Sequence, residues 1–394
     1  MEKIYLDYAA STPVNPEVEA AILPYLEKRF GNPGSLHSFG REAMAAVDKS
    51  REVVAGALGA KFHEIIFTSS ATEANNLALR GALNKLIWKR VKGEVPKPPY
   101  RIITTPIEHE SIRDTAFDLE GEMVEVVQLP VSKEGFVNPK DLKEALTPST
   151  VIVSIIHGSN VIGTVQPIKE LAEIVREYRK GAGSAYPLFH TDAVQSFQFL
   201  DAKVGDLGVD MLTISSQKLY APKGAGALYL KEDSVRHVTG VITGGSQEFG
   251  LRASTENVPA IVGFGKAVEI ILRDREAEGR RVASLRDSLW DKLKKARPEL
   301  EFNGPELGPK RLPNNLHVYF PNHTIDELMV KLDMAGVAAS AGSACTMRSN
   351  RSSYVVEALG FDGERAASSL RFSLGRPTTQ KDIDDAAERI IKSL

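Results

Sequence analysis

The sequence predicts an α/β fold in which a mostly parallel central sheet is flanked by helices and joined to a smaller α+β domain. Three observations carry that prediction. Short β-branched runs alternate with longer amphipathic stretches along the first part of the chain. A long charged helical stretch follows, and after it the elements shorten and mix. The chain has 394 residues, 42% hydrophobic and 25% charged, enough for a sizeable core in more than one domain.

Taken in order, strands are expected at 64–68, 101–105, 150–156, 188–191, 211–215 and 227–230. A helix is expected at 168–180, with Ile168, Leu171, Ile174 and Val175 on one face. Residues 266–295 read as a long solvated helix carrying Val268, Ile271, Leu272, Leu285, Leu289 and Leu293. Beyond it come a strand at 315–320, a helix at 324–334, a strand at 369–373 and a closing helix at 379–394. A large domain is therefore expected over 14–262 and a smaller one over 263–394. Residues 91–99, where Lys and Pro cluster, read as a surface loop.

Composition excludes several classes of function. A formal net charge of −2 offers no basic excess for phosphate backbones, so no nucleic-acid partner is expected. No apolar run approaches the length of about eighteen residues that a membrane helix needs. Glu2 and Asp7 stand where a signal peptide would be apolar. The single cysteine, Cys345, rules out an internal disulfide and a cysteine-rich metal site, and no metal is expected. A lone thiol fits a reducing cytoplasm. Its bland reading is a small buried apolar residue.

In open α/β sheets ligands gather beyond the carboxyl ends of the strands. Asp192 follows the run 188–191, where a carboxylate could equally be a helix N-cap. Lys218 follows the next run through Ser216 and Gln217. A lysine there is either a surface side chain or a desolvated, nucleophilic amine suited to a carbonyl. Pyridoxal phosphate needs a lysine for its aldehyde and an acid for its ring nitrogen. It also needs a phosphate cup of small hydroxyl residues and helix-start amides. Ser70-Ala71-Thr72-Glu73 has that form, and it is also a plain capping box.

Motifs spread along the chain then narrow the reading. They are 5–13 (YLDYAASTP), 30–33 (FGNP), 67–73 (FTSSATE) and 107–109 (IEH). Further on come 190–195 (HTDAVQ), 343–346 (SACT) and 371–376 (RFSLGR). In this order the chain resembles the cysteine desulfurases of the NifS/IscS family, in the class V aminotransferase group of fold-type I pyridoxal-phosphate enzymes. The resemblance implies that residues 1–13 join the small domain. It implies pyridoxal 5'-phosphate as cofactor, held on Lys218, with Asp192 at the ring nitrogen, His109 on the ring face and Gln195 at the phenolic oxygen. Ala71, Thr72, Ser215 and Gln217 would serve the phosphate, and Thr255 would reach it from the partner of a homodimer. Arg371, Asn160 and Asn32 would bind the substrate L-cysteine, Asn160 lying near the cofactor as well, and Cys345 would take its sulfur as a persulfide. The sulfur then goes to an acceptor protein, an iron–sulfur scaffold or another sulfurtransferase.

The residues alone leave His109 open as a cap or core histidine, and Arg371 as a solvated edge charge. Cys345 sits in the small, polar run 340–346, which argues for a loop and for access to the thiol. The chain departs from the family pattern at Gln217, where histidine is usual, at Ser159 and Val161 beside Asn160, and at Ala221. Glutamine keeps a hydrogen-bond donor but cannot titrate. A selenocysteine lyase, another β-lyase and a non-catalytic relative remain as alternatives.

Overall fold

The computed structural model describes residues 2–91, 98–342 and 353–394. Cys345 and most of the expected loop at 91–99 therefore lie outside the described residues. The chain opens with β1 (Ile4–Tyr5), α1 (Pro16–Glu27) and α2 (Ser38–Leu58). Seven strands then form the main sheet: β2 (Ile65–Thr68), β3 (Tyr100–Thr104), β4 (Val124–Gln128), β5 (Thr150–Ser154), β6 (Leu188–Asp192), β7 (Met211–Ser215) and β8 (Gly226–Leu230). Their order across the sheet is β2-β8-β7-β6-β5-β3-β4. Among these described strands only β8 runs against the rest, so the expected mostly parallel sheet is present.

Helices supply the crossovers: α3 (Ala71–Val91), α4 (Glu110–Leu119), α5 (Pro139–Ala145), α6 (Ile168–Ala182) and α7 (Val204–Leu207). They cover both faces of the sheet, which is why β5 to β8 read as unbroken buried runs. Side chains alternate between two cores. Ile65 and Phe67 join Phe189 and Phe264 on one face, while Ile66 joins Ile102, Ile112 and Leu228 on the other. Strand β4 escaped the sequence reading because it is an edge strand, buried only at Val124.

The long helix, α8 (Val258–Ala296), begins earlier than expected and is 39 residues long. Asn257 caps it, its side chain accepting from the Ala260 N–H, and Pro259 sits in the first turn. Its first half is not solvated. Ile261, Phe264 and Val268 fill the large core, whereas Val282, Leu289 and Leu293 fill another. The division expected at residue 262 thus falls inside this helix.

The rest of the chain forms β9 (Glu301–Phe302), β10 (Asn315–Tyr319), α9 (Ile325–Met334), β11 (Val337–Ala338), α10 (Tyr354–Ala358), α11 (Gly363–Ala367), β12 (Ser369–Ser373) and α12 (Gln380–Ser393). That further core draws on these elements except α11 and α10, whose Val355 packs with Ile156 and Val161 instead. Strands β12, β10 and β9 pair antiparallel. Strand β1 pairs with β11, so Ile4 and Leu6 pack with Leu289, Phe372 and Ile390. Among the described residues no helix is long and apolar enough to cross a membrane.

One close approach shapes the sheet edge. Thr68 is in register with Gly226, and the chain leaving β2 crosses directly over that glycine. A Cβ at 226 would lie 2.5 Å from the Ser70 carbonyl carbon and 2.8 Å from the Ala71 nitrogen. Gly226→Ala should destabilise the protein by about 1–3 kcal/mol through overpacking, read as a lower urea midpoint. An unchanged midpoint would show that the turn at Ser70 moves aside freely.

Candidate active site

Strand ends decide where chemistry can sit, because the carboxyl ends of the parallel strands open onto one edge. Asp192 ends β6 and Ser215 ends β7, and a single 3₁₀ turn, Ser216–Lys218, carries Lys218 beyond that edge. After β2 the chain turns through Ser70 into α3, whose first residues are Ala71 and Thr72. His109 caps α4, and Asn160 follows β5. Arg371 arrives from β12 of the other core. Asp192, Ser215, Lys218, Thr72, His109 and Arg371 line one cavity of roughly 270 Å³, together with Ser70, Ala71, Asn160, Gln195 and Gln217.

Each charged group has specific partners. Arg371 is 2% exposed, so it is no solvated edge charge. Its guanidinium pairs with Asp7 at 2.7 Å and donates to the carbonyls of Asn160 and Gly342. Its Nε has no partner among the described residues. Lys218 donates from Nζ to the carbonyls of Ala9, at 2.8 Å, and Ala10. Gln195 donates to the same Ala9 oxygen at 3.0 Å. Asp192 is buried and caps no helix. Its two oxygens accept from the Val194 N–H at 2.9 Å and from Asn75 at 2.8 Å.

The arrangement presents four kinds of chemistry to one small volume. The first amides of α3 lack intrahelical acceptors and, with the hydroxyls of Thr72 and Ser215, suit an anion. Asp192 offers an acceptor, Lys218 an amine, and Arg371 a fork for a carboxylate. His109 is both readings at once, a helix cap whose Nδ1 accepts from the Ser111 N–H and a residue of the cavity wall.

Two expected residues lie elsewhere in this chain. Asn32 and Thr255 line a separate depression near Phe30 and Asn257, outside the Lys218 cavity. Cys345 lies outside the described residues. The sequence reading missed Asn75, Ser111 and Glu108, and gave Asp7 no role. Asn75 was within reach of it, since it lies three residues beyond Thr72 on a helix and so near the same face. Asp7 gave no such signal, because its partner Arg371 is distant in sequence.

A model of the aminotransferase class-V family matches residues 4–385. The cysteine desulfurase IscS of Dictyoglomus turgidum is 43% identical over 395 aligned residues, covering 100% of this chain and 95% of that protein. A solved structure of a NifS-like protein superposes with a TM-score of 0.87 at 31% identity, covering 99% of this chain and 98% of the other. Another, SspA in complex with cysteine, gives a TM-score of 0.78 at 35% identity and covers 94% of this chain and 98% of that one.

Behind His109 lies a fully buried acid. Glu108 accepts through one oxygen from the Ile156 N–H at 2.9 Å and from Thr105 at 2.7 Å, while its Oε2 has no partner among the described residues. Burial, which outweighs those two hydrogen bonds, pushes its carboxyl up to about 8, and the nearby Asp192 adds to the rise. Between its ordinary value of 4.5 and about 8, the folded chain holds a proton that the unfolded chain has lost. Its contribution to stability is therefore full at acid pH and falls as the pH rises through that window. Glu108→Gln keeps the accepting oxygen and cannot ionise. Urea midpoints should fall less between about pH 5 and about pH 8 in that variant than in the parent.

Proposed function

The chain belongs to the aminotransferase class-V family and to the cysteine desulfurases within it, and we propose that it acts as one. It takes sulfur from L-cysteine, releases L-alanine and passes the sulfur to an acceptor through a persulfide on Cys345. The observation that carries this reading is the convergence of Lys218, Asp192, His109 and Arg371, from distant parts of the chain, on one cavity.

The donor set suits pyridoxal 5'-phosphate. Its phosphate would take the Ala71 and Thr72 amides, the hydroxyls of Thr72 and Ser215, and the Gln217 side chain, which donates where the family has histidine. Asp192 keeps lone pairs for a protonated ring nitrogen, because its two observed partners occupy only part of its capacity. Lys218 would hold the aldehyde carbon, His109 the ring face and Gln195 the phenolic oxygen. When bound, the cofactor supplies an electron sink for charge that develops at the substrate α-carbon.

The remaining work falls to the chain. Arg371 and Asn160 receive the carboxylate of L-cysteine. The Lys218 amine takes the α-proton. The Cys345 thiolate attacks the substrate sulfur, a sulfur–sulfur bond forms as the carbon–sulfur bond breaks, and the carbon keeps the electron pair and is protonated. L-Cysteine and an enzyme thiol thus yield L-alanine and an enzyme persulfide without an outside oxidant.

Asn32 and Thr255 enter this reading through a homodimer. They share a depression beside the exposed Phe30, Leu36 and Phe39, an apolar face suited to a second copy. From there they would complete the partner's cavity. The acceptor is a protein, an iron–sulfur scaffold or another sulfurtransferase, and a reactive persulfide suits a reducing cytoplasm. Residues 14–262 form the cofactor domain, and residues 1–13 with 263–394 the domain that carries Cys345, with α8 as their common strut.

Purified, cofactor-loaded protein given L-cysteine and a reductant should release sulfide and alanine in equal amounts over many turnovers. A yellow protein that releases neither would overturn the reading. Cys345→Ser should keep the colour and lose at least about a hundredfold in sulfide release. Normal release from that variant would remove Cys345 from the reaction.

A further inference from the structure

Asn75 has no part in the reading above, yet it lies between two residues on which that reading depends. It is fully buried on α3. Its Nδ2 donates to Asp192 Oδ2 at 2.8 Å and to Ser111 Oγ at 2.8 Å, so both hydrogens of one amide group are engaged. The amide cannot be reversed, because its oxygen would then face the carboxylate. As placed, that oxygen has no partner among the described residues.

Donor counting then sets a direction. The Asn75 nitrogen can only donate, so the Ser111 hydroxyl accepts from it and keeps its own hydrogen for another acceptor. His109 Nδ1 lies 2.8 Å from that hydroxyl, and the Ser111 backbone N–H donates to the same nitrogen at 3.1 Å. A ring nitrogen that receives two donors carries no hydrogen. In the neutral ring the proton is therefore on Nε2.

We propose that Asn75 and Ser111 are positioning residues that hold His109 as the Nε2–H tautomer while orienting the Asp192 carboxylate. The tautomer stands on the geometry alone, and its catalytic meaning rests on the desulfurase reading. In that setting neutral His109 meets its ligands as a hydrogen donor, and proton abstraction is left to Lys218. One amide group thereby ties the residue at the cofactor nitrogen to the residue on the cofactor face.

The test uses full-length protein labelled with ¹⁵N-histidine, without cofactor, and the His109 ring signals are identified by their loss in His109→Asn. The parent should show the Nε2–H form alone. Ser111→Ala and Asn75→Ala, each checked for parental near-UV dichroism, should keep the proton on Nε2 through the Ser111 backbone N–H but shift the Nδ1 nitrogen signal as the hydroxyl donor is lost or freed. Ser111→Thr should restore the parental shift. In the loaded enzyme Asn75→Ala should lose at least about tenfold in desulfurase turnover, with Ser111→Thr near the parent. An Nδ1–H signal in the parent would overturn the proposal. So would an Nδ1 signal unchanged from the parent in both alanine variants. A chain that proved to be no desulfurase would fail only the turnover arm, so the two failures are distinguishable.

Discussion

Arg371 and Lys218 bring positive charge to a small cavity, and the chain compensates that charge with its own first dozen residues. Asp7 pairs with Arg371, the carbonyls of Ala9 and Ala10 accept from Lys218, and Thr12 donates to the Gln217 carbonyl at 2.8 Å. Arg371 is buried and Asp7 only partly so, and removing Asp7 would leave a buried guanidinium without its partner charge, which is destabilising. The N-terminal segment is therefore part of the site. It starts in the small core through Ile4 and Leu6 and ends over the strand edge that carries Lys218.

The same segment explains how two cores make one cavity. Strand β12 delivers Arg371 from the small core, and the Asn160 carbonyl that holds its guanidinium lies just past β5 of the large sheet. Helix α8 passes through both cores and fixes their separation, with Phe264 at one end and Leu289 towards the other. Polar groups that would be costly to bury alone are tolerated where they satisfy one another. Asn75, Ser111, His109 and Asp192 form such a set, linked by hydrogen bonds along one line, with the Asn75 oxygen left without a partner among the described residues.

Much of the fold is legible in the sequence because burial on both faces leaves continuous apolar runs. Strands β7 and β12 match their runs to the residue, and β6 and β8 within one. Strand β4 leaves no such trace, since an edge strand need not be apolar. The helical period of α8 is plain from residue 266, but its first turns carry a denser apolar run that serves a different core. The start of a helix is set by its cap, here Asn257, and a cap is only a local signal among many similar residues.

Residue order alone establishes which chemical groups the protein owns and where the strands end, because strand periodicity and residue type are local properties. Lys218, Asp192 and the run 70–73 can be placed at a strand edge from that information. Which of those groups meet is settled by the folded chain. Asp7 and Arg371 are 364 residues apart and 2.7 Å from one another, and no spacing rule connects them. Likewise the pairing of Asn75 with Asp192, and the position of Asn32 and Thr255 outside their own chain's cavity, follow from how helices pack across the sheet. Packing sums many weak contacts over the whole chain, so its outcome is not written at any one position.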